Sequence, residues 1–94
     1  MKVREFLNKL DDCILEICDG EEWILSISST DVFKKMPEIE NIEGNGDDLD
    51  MDLDITFSNS KWTFEQTKEN WGKLMEAEVV HVYHGEDLEI KIAF

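Results

Sequence analysis

The sequence predicts an α+β domain: about five strands in a mainly antiparallel sheet, with helices packed on one face, in the order α-β-β-α-β-α-β-β. Three observations carry that expectation. Apolar residues recur at helical spacing in some segments and alternate with polar ones in others. Asp19-Gly20 and the HGED run at 84–87 are turn signals between strand-like runs. Runs joined by such tight turns favour antiparallel pairing with helices set to one side. The 94 residues make a single domain, 1–94, with 41% apolar content, enough for a modest core without staples.

Each element has its own justification. Residues 2–10 place Val3, Phe6, Leu7 and Leu10 on one helical face, and Asp11-Asp12 end that helix. Residues 13–18 (CILEIC) and 22–28 (EWILSIS) read as a hairpin, with Trp23, Leu25 and Ile27 sharing a face. Ser29 or Thr30 caps a short helix over 31–36, with Asp31 and Lys34-Lys35 at the ends the helix dipole favours. Pro37 is expected to stop it. Residues 37–47 form an acidic connection, the segment expected to be mobile. Residues 48–57 (DLDMDLDITF) alternate strictly as a strand. Thr63 and Gln66 match a capping box for a helix over 64–76, with Phe64, Trp71, Leu74 and Met75 inward. Glu69 and Lys73 are spaced for an ion pair on its outer side. Gly72 costs about 1 kcal/mol there relative to Ala, so a close neighbour is expected. Residues 77–83 and 88–94 close the chain as a hairpin, with Leu88, Ile90, Ile92 and Phe94 alternating.

Charge is the extreme property. Twenty-three acids against nine bases give −14. Such a chain offers no basic surface for nucleic acid or anionic membrane, so its expected partners are basic proteins or cations. No apolar run is long enough to span a bilayer. The opening MKVREFLNKL lacks an apolar signal region, so the chain is expected to stay in the cytosol. Cys13 and Cys18, on one extended run, would face opposite ways and lie roughly 17 Å apart, too far for a disulfide. They are read as small, reduced core residues.

The candidate site is the acidic stretch. On a strand, Asp48, Asp50, Asp52 and Asp54 line one face, roughly 6.6–6.8 Å apart, while Leu49, Met51, Leu53, Ile55 and Phe57 line the other. That spacing is close to the contour spacing of successive phosphates in a nucleic-acid strand. Each gap costs roughly 0.6 kcal/mol of repulsion in water before screening. Glu38, Glu40, Glu43 and Asp47 extend the acidic run, and no Lys or Arg interrupts Met36–Ser60. The functional reading is a recognition surface for a basic, nucleic-acid-binding cleft. The plainer reading is a solvated strand face that discourages edge pairing. A cation site fits less well, because no start position places Gly and Glu where a calcium loop needs them together, and a straight strand spreads its carboxylates.

Other residues point to structure. His81 and His84, three apart, would diverge on a strand. No nucleophile motif or phosphate-binding glycine loop is present, and neither an enzyme nor a cofactor is expected. Trp71 is expected in the core and Trp62 just before a helix cap. Packing of Trp23, Trp62 and Trp71 on the sheet is favoured over a role as interface anchors.

The opening MKVREFLNKLDD, the strand and DG turn that follow, and the closing EVVHVYHGEDLEIKI resemble small proteins of bacteriophage and mobile-element genomes. Strongly acidic members of that group include anti-CRISPR and anti-restriction proteins, several of which act as DNA mimics. The resemblance implies that Glu38 to Asp54 supplies phosphate-like charge against a host-defence nuclease; the chain itself is expected to be a monomer or homodimer. An immunity protein against a toxin nuclease would share this physics. A phage accessory domain, whose acidity is only solubilising, would not.

Overall fold

The computed structural model describes residues 1–39, 55–57 and 62–94. The chain is α+β: helices cover one face of a mixed sheet of strand order β3-β2-β1-β5-β4. Its strands are β1 (Leu15–Asp19), β2 (Glu22–Ile27), β3 (Ile55–Phe57), β4 (Glu78–His84) and β5 (Leu88–Ala93). The helices are α1 (Val3–Asn8), α2 (Thr30–Phe33), α3 (Phe64–Glu69) and α4 (Trp71–Glu76).

This order is not the expected one. The segment 64–76 forms two helices, and a 3-10 turn, Met36–Glu38, follows α2. The centre of the sheet is also a parallel pair, β1 with β5, which adjacent-hairpin reasoning does not reach. Tight turns fix only the local pairings β1–β2 and β4–β5. Which strands meet in the middle is decided by burial. Leu15, Ile17, Ile90 and Ile92 are each at most 1% exposed, the level a strand reaches when flanked on both sides and covered on one face.

Gly20, at φ 63°, is the first of two residues in the β1–β2 turn, a conformation open to glycine at little cost. A bulge then shifts the register, so Cys18 faces Trp23 while Ile17 faces Leu25. Trp23 therefore does not share a face with Leu25 and Ile27 as expected. It stands half-buried on the opposite side, and the extra residue, Ile24, is buried. The strand begins at Leu15, so Cys13 precedes it and is only half-buried, whereas Cys18 is buried; both thiols are free.

Helix boundaries follow local chemistry. Ser29 caps α2 by accepting from the Val32 N–H. Pro37 does not stop a helix; it lies in the first positions of the 3-10 turn, where its missing N–H is not needed. The Thr63–Gln66 capping box is formed in both directions. The break at Asn70 has a visible cause: its side-chain amide donates to the Gln66 carbonyl at 3.0 Å, alongside the helical N–H bond at 2.9 Å. Glu69 and Lys73 thus fall on different helices and form no ion pair among the described residues; the Lys73 ammonium lies 5.5 Å from the centre of the Phe94 ring. Phe94 ends up 53% exposed and stacks on Trp62 instead of continuing the β5 alternation into the core. A methyl group at Gly72 would meet nothing within 4 Å, so the close neighbour expected there is absent.

The core lies between the helices and the face carrying Leu15, Ile17, Leu25, Ile27, Ile90 and Ile92. Val3 and Leu7 of α1, Phe33 of α2, and Leu74 and Met75 of α4 close it. Phe33 meets Trp71 edge-on with ring centres 4.9 Å apart. Six residues are too few for α1 to be stable alone. Backbone bonds from Val3 to Ala77 (2.9 Å) and from Val79 to Met1 (2.8 Å) pin it beside β4.

Candidate functional site

Of the residues the sequence nominates, Glu38 is described: it is exposed at the end of the 3-10 turn, on the helical side. Glu40, Glu43, Asp47, Asp48, Asp50, Asp52 and Asp54 lie outside the described residues, as does the acidic connection from 40 to 47. The described end of that strand, β3, pairs antiparallel with β2: Ile55 stands opposite Ile27, Thr56 opposite Ser26 and Phe57 opposite Leu25. β3 is thus the edge strand next to β2.

Around that edge, charge is divided by layer. Within the described strands and the turns joining them, the acids are Glu16, Asp19, Glu21, Glu22, Glu78, Glu86, Asp87 and Glu89, and the one base is Lys91. The described helices and their connections carry Lys2, Arg4, Lys9, Lys34, Lys35, Lys68 and Lys73 against eight acids. The helical layer is therefore close to neutral, and the sheet layer holds a net charge of −7.

Three of the helical-side acids, Asp12, Asp31 and Glu76, are engaged by structure. Glu76 bridges Lys2, at 2.6 Å, and Arg4. The hydrogen bond and charge of Lys2 hold the Glu76 carboxyl below its ordinary range, and Glu76 in turn raises the Lys2 ammonium. Asp12 accepts from the Asp31 N–H and the Ser29 hydroxyl, each at 3.0 Å, which ties the α1–β1 connection to the start of α2. Chiefly the Asp31 N–H lowers its pKa. A groove of about 180 Å³ between α1 and α4 is lined by Arg4, Leu7, Asn8, Lys34, Trp71 and Met75. Its two cations are already engaged, Arg4 by Glu76 and Lys34 by the Leu10 carbonyl and Asp31.

On the sheet side, Glu78 pairs with the Met1 ammonium at 3.2 Å and Glu21 with Lys91 at 3.5 Å. Glu16 and Glu89 are direct cross-strand partners in the parallel pair, and neither has an ion-pair partner among the described residues. Burial raises the pKa of the Cys18 thiol beside them, and both carboxylates push it further up. That thiol is protonated at neutral pH and is not a nucleophile. Sequence reasoning did not single out Glu16, Glu89, Tyr83 or the outward turn of Trp23. The neighbourhood of Glu16 and Glu89 arises only from the parallel pairing.

His81 and His84 are both exposed, with Lys91 and Leu88 as their respective cross-strand partners. Among the described residues, no group of three or more His, Cys, Asp or Glu could hold a metal ion, and no helix is long and apolar enough to cross a membrane. No family model matches the chain, and no curated protein or solved structure matches it either.

Proposed function

We propose that this protein is an acidic inhibitor that occupies the basic nucleic-acid-binding cleft of another protein, in the manner of anti-CRISPR and anti-restriction DNA mimics. The target class is a host-defence nuclease. The observation that carries the reading is the division of charge: the described bases gather on the helical layer, and the sheet layer is left at −7. A one-sided negative field steers association with a positive cleft and orients the encounter. By their alternation in the sequence, Asp48, Asp50, Asp52 and Asp54 supply the central contacts, and Glu38, Glu40, Glu43 and Asp47 the rim. A net charge of −14 weighs against direct phosphate binding as the mode of action.

The test compares immobilised wild type with Asp50→Asn/Asp52→Asn/Asp54→Asn against bacterial lysate. The expected result is a nuclease or other nucleic-acid-binding enzyme retained by wild type alone and displaced by free DNA. Retention of the same partner by both proteins, or of no nucleic-acid enzyme by either, would overturn the reading.

A further inference from the structure

The described helices pack on one face of the sheet, and the register assembles two rows across the strands on the other. Trp23, Cys18, Lys91 and His81 follow one another across β2, β1, β5 and β4. Ser26, Glu16, Glu89 and Tyr83 form the adjacent row. Tyr83 is 58% exposed at one side of the face, and Trp23 is half-buried at the other. Between them stand Glu16 and Glu89, on strands about 4.8 Å apart. Like charges placed directly opposite destabilise a sheet. The nearby cation, Lys91, reaches instead to Glu21 at the rim, at 3.5 Å.

We infer that this face docks an arginine-bearing segment of the basic partner, laid across the strands with a guanidinium between Glu16 and Glu89. The inference rests on the proposed inhibitory reading and names the surface and side chain that reading leaves open. Charge complementarity selects a cation. The remaining chemistry selects arginine over lysine. A planar guanidinium donates to two carboxylates at once, whereas an ammonium is a point charge. It also stacks on aromatic faces, here exposed Tyr83 and half-buried Trp23. Aromatic residues are enriched at interfaces, and here they flank two carboxylates that a cation can pair with.

The experiment titrates the ¹⁵N-labelled full chain with nona-arginine and nona-lysine peptides at physiological salt. The largest shifts are expected at Glu16, Glu89, Tyr83 and the Trp23 indole, with nona-arginine binding at least about fivefold tighter than nona-lysine. Glu16→Gln/Glu89→Gln should weaken nona-arginine more than the equally charged control Glu65→Gln/Glu69→Gln on α3. A melting curve confirms that the near-isosteric double variant stays folded. Equal affinity for both peptides, equal loss in the control, or shifts confined to 48–54 would overturn the inference while the inhibitory reading stands. Failure of both peptides to bind at all would remove the reading beneath it.

Discussion

On the helical side, one carboxylate, Glu76, stands between two cations, and a second, Asp12, accepts three hydrogen bonds around the start of α2. On the sheet side, Glu16 and Glu89 face each other across adjacent strands with no cation of their own among the described residues. The same residue types do opposite things. In the first region acids fasten the ends of elements to one another; in the second, two acids stand side by side with no ion-pair partner among the described residues. Stability alone accounts for the first arrangement. Under the proposed reading, a positive partner would supply the second with the cation it lacks.

If that division is correct, aromatic truncations should separate sharply by side. Phe33 is fully buried between α2 and the sheet, against Trp71. Phe33→Ala is expected to cost about 3–5 kcal/mol. Tyr83→Ala, on the open face, should stay within roughly 0.5 kcal/mol in stability. Urea unfolding of both variants measures the contrast, and comparable losses would show that the outer face is packed. A smaller effect comes from Thr30, which is fully buried and ties the start of α2 to the α1–β1 connection. Its hydroxyl accepts from the Cys13 N–H at 3.2 Å, while its own N–H donates to the Cys13 carbonyl at 3.3 Å. Thr30→Val keeps the shape but strands the Cys13 donor, at about 1–3 kcal/mol. Hydrogen exchange at Cys13 should accelerate well beyond the global loss of stability.

How much of this was legible in the sequence depends on the range of the interaction. The Thr63–Gln66 capping box, the Ser29 cap and the Gly20 turn are decided within a few residues, and the sequence states them directly. The break at Asn70 is local too, but it needs a side-chain choice that helical periodicity does not encode. The β1–β2 bulge turns Trp23 outward although simple alternation sets it inward. The parallel β1–β5 pair joins residues more than seventy positions apart, and nothing local specifies it. So the sequence pointed to acidity as the functional property and to one strand as its seat. The carboxylate pair made by the parallel strands was invisible. Of the nominated residues, Glu38 alone is described, and it sits apart from that pair on the helical side.

Two substitutions should stabilise the chain, for different reasons, and so sharpen the comparison. Gly72 lies inside α4 with open space where a methyl group would go. Gly72→Ala should add up to about 1 kcal/mol through helix propensity and leave partner binding unchanged. Glu16→Gln should add roughly 0.2–1 kcal/mol by removing a like-charge neighbour, yet weaken binding to a basic partner. Paired thermal melts and binding isotherms distinguish them. A Glu16→Gln variant that gained nothing in stability would mean that the carboxylates already sit far enough apart for water to screen them.

The weakest effect expected is a pH dependence seated on the helical side. The Glu76 carboxyl is held low by Lys2, so its contribution is fully present above the ordinary carboxylate pKa of 4.5 and disappears as pH falls through the lowered folded value. Asp12 behaves the same way, losing its stabilising hydrogen bonds below its ordinary 3.8, as pH falls through its own lowered value. The Lys2 ammonium is raised by the same pairing, so its share persists below 10.5 and is lost only as pH climbs through the higher folded value. Because these groups are exposed, the amplitudes are small and fall further with salt. Glu76→Gln should therefore flatten the acid limb of a stability profile and trim the alkaline limb, and Asp12→Asn should flatten the acid limb alone. An alkaline limb untouched by Glu76→Gln would mean that Lys2 does not depend on Glu76. The pinning of α1 beside β4 would then rest on the backbone bonds from Val3 to Ala77 and from Val79 to Met1.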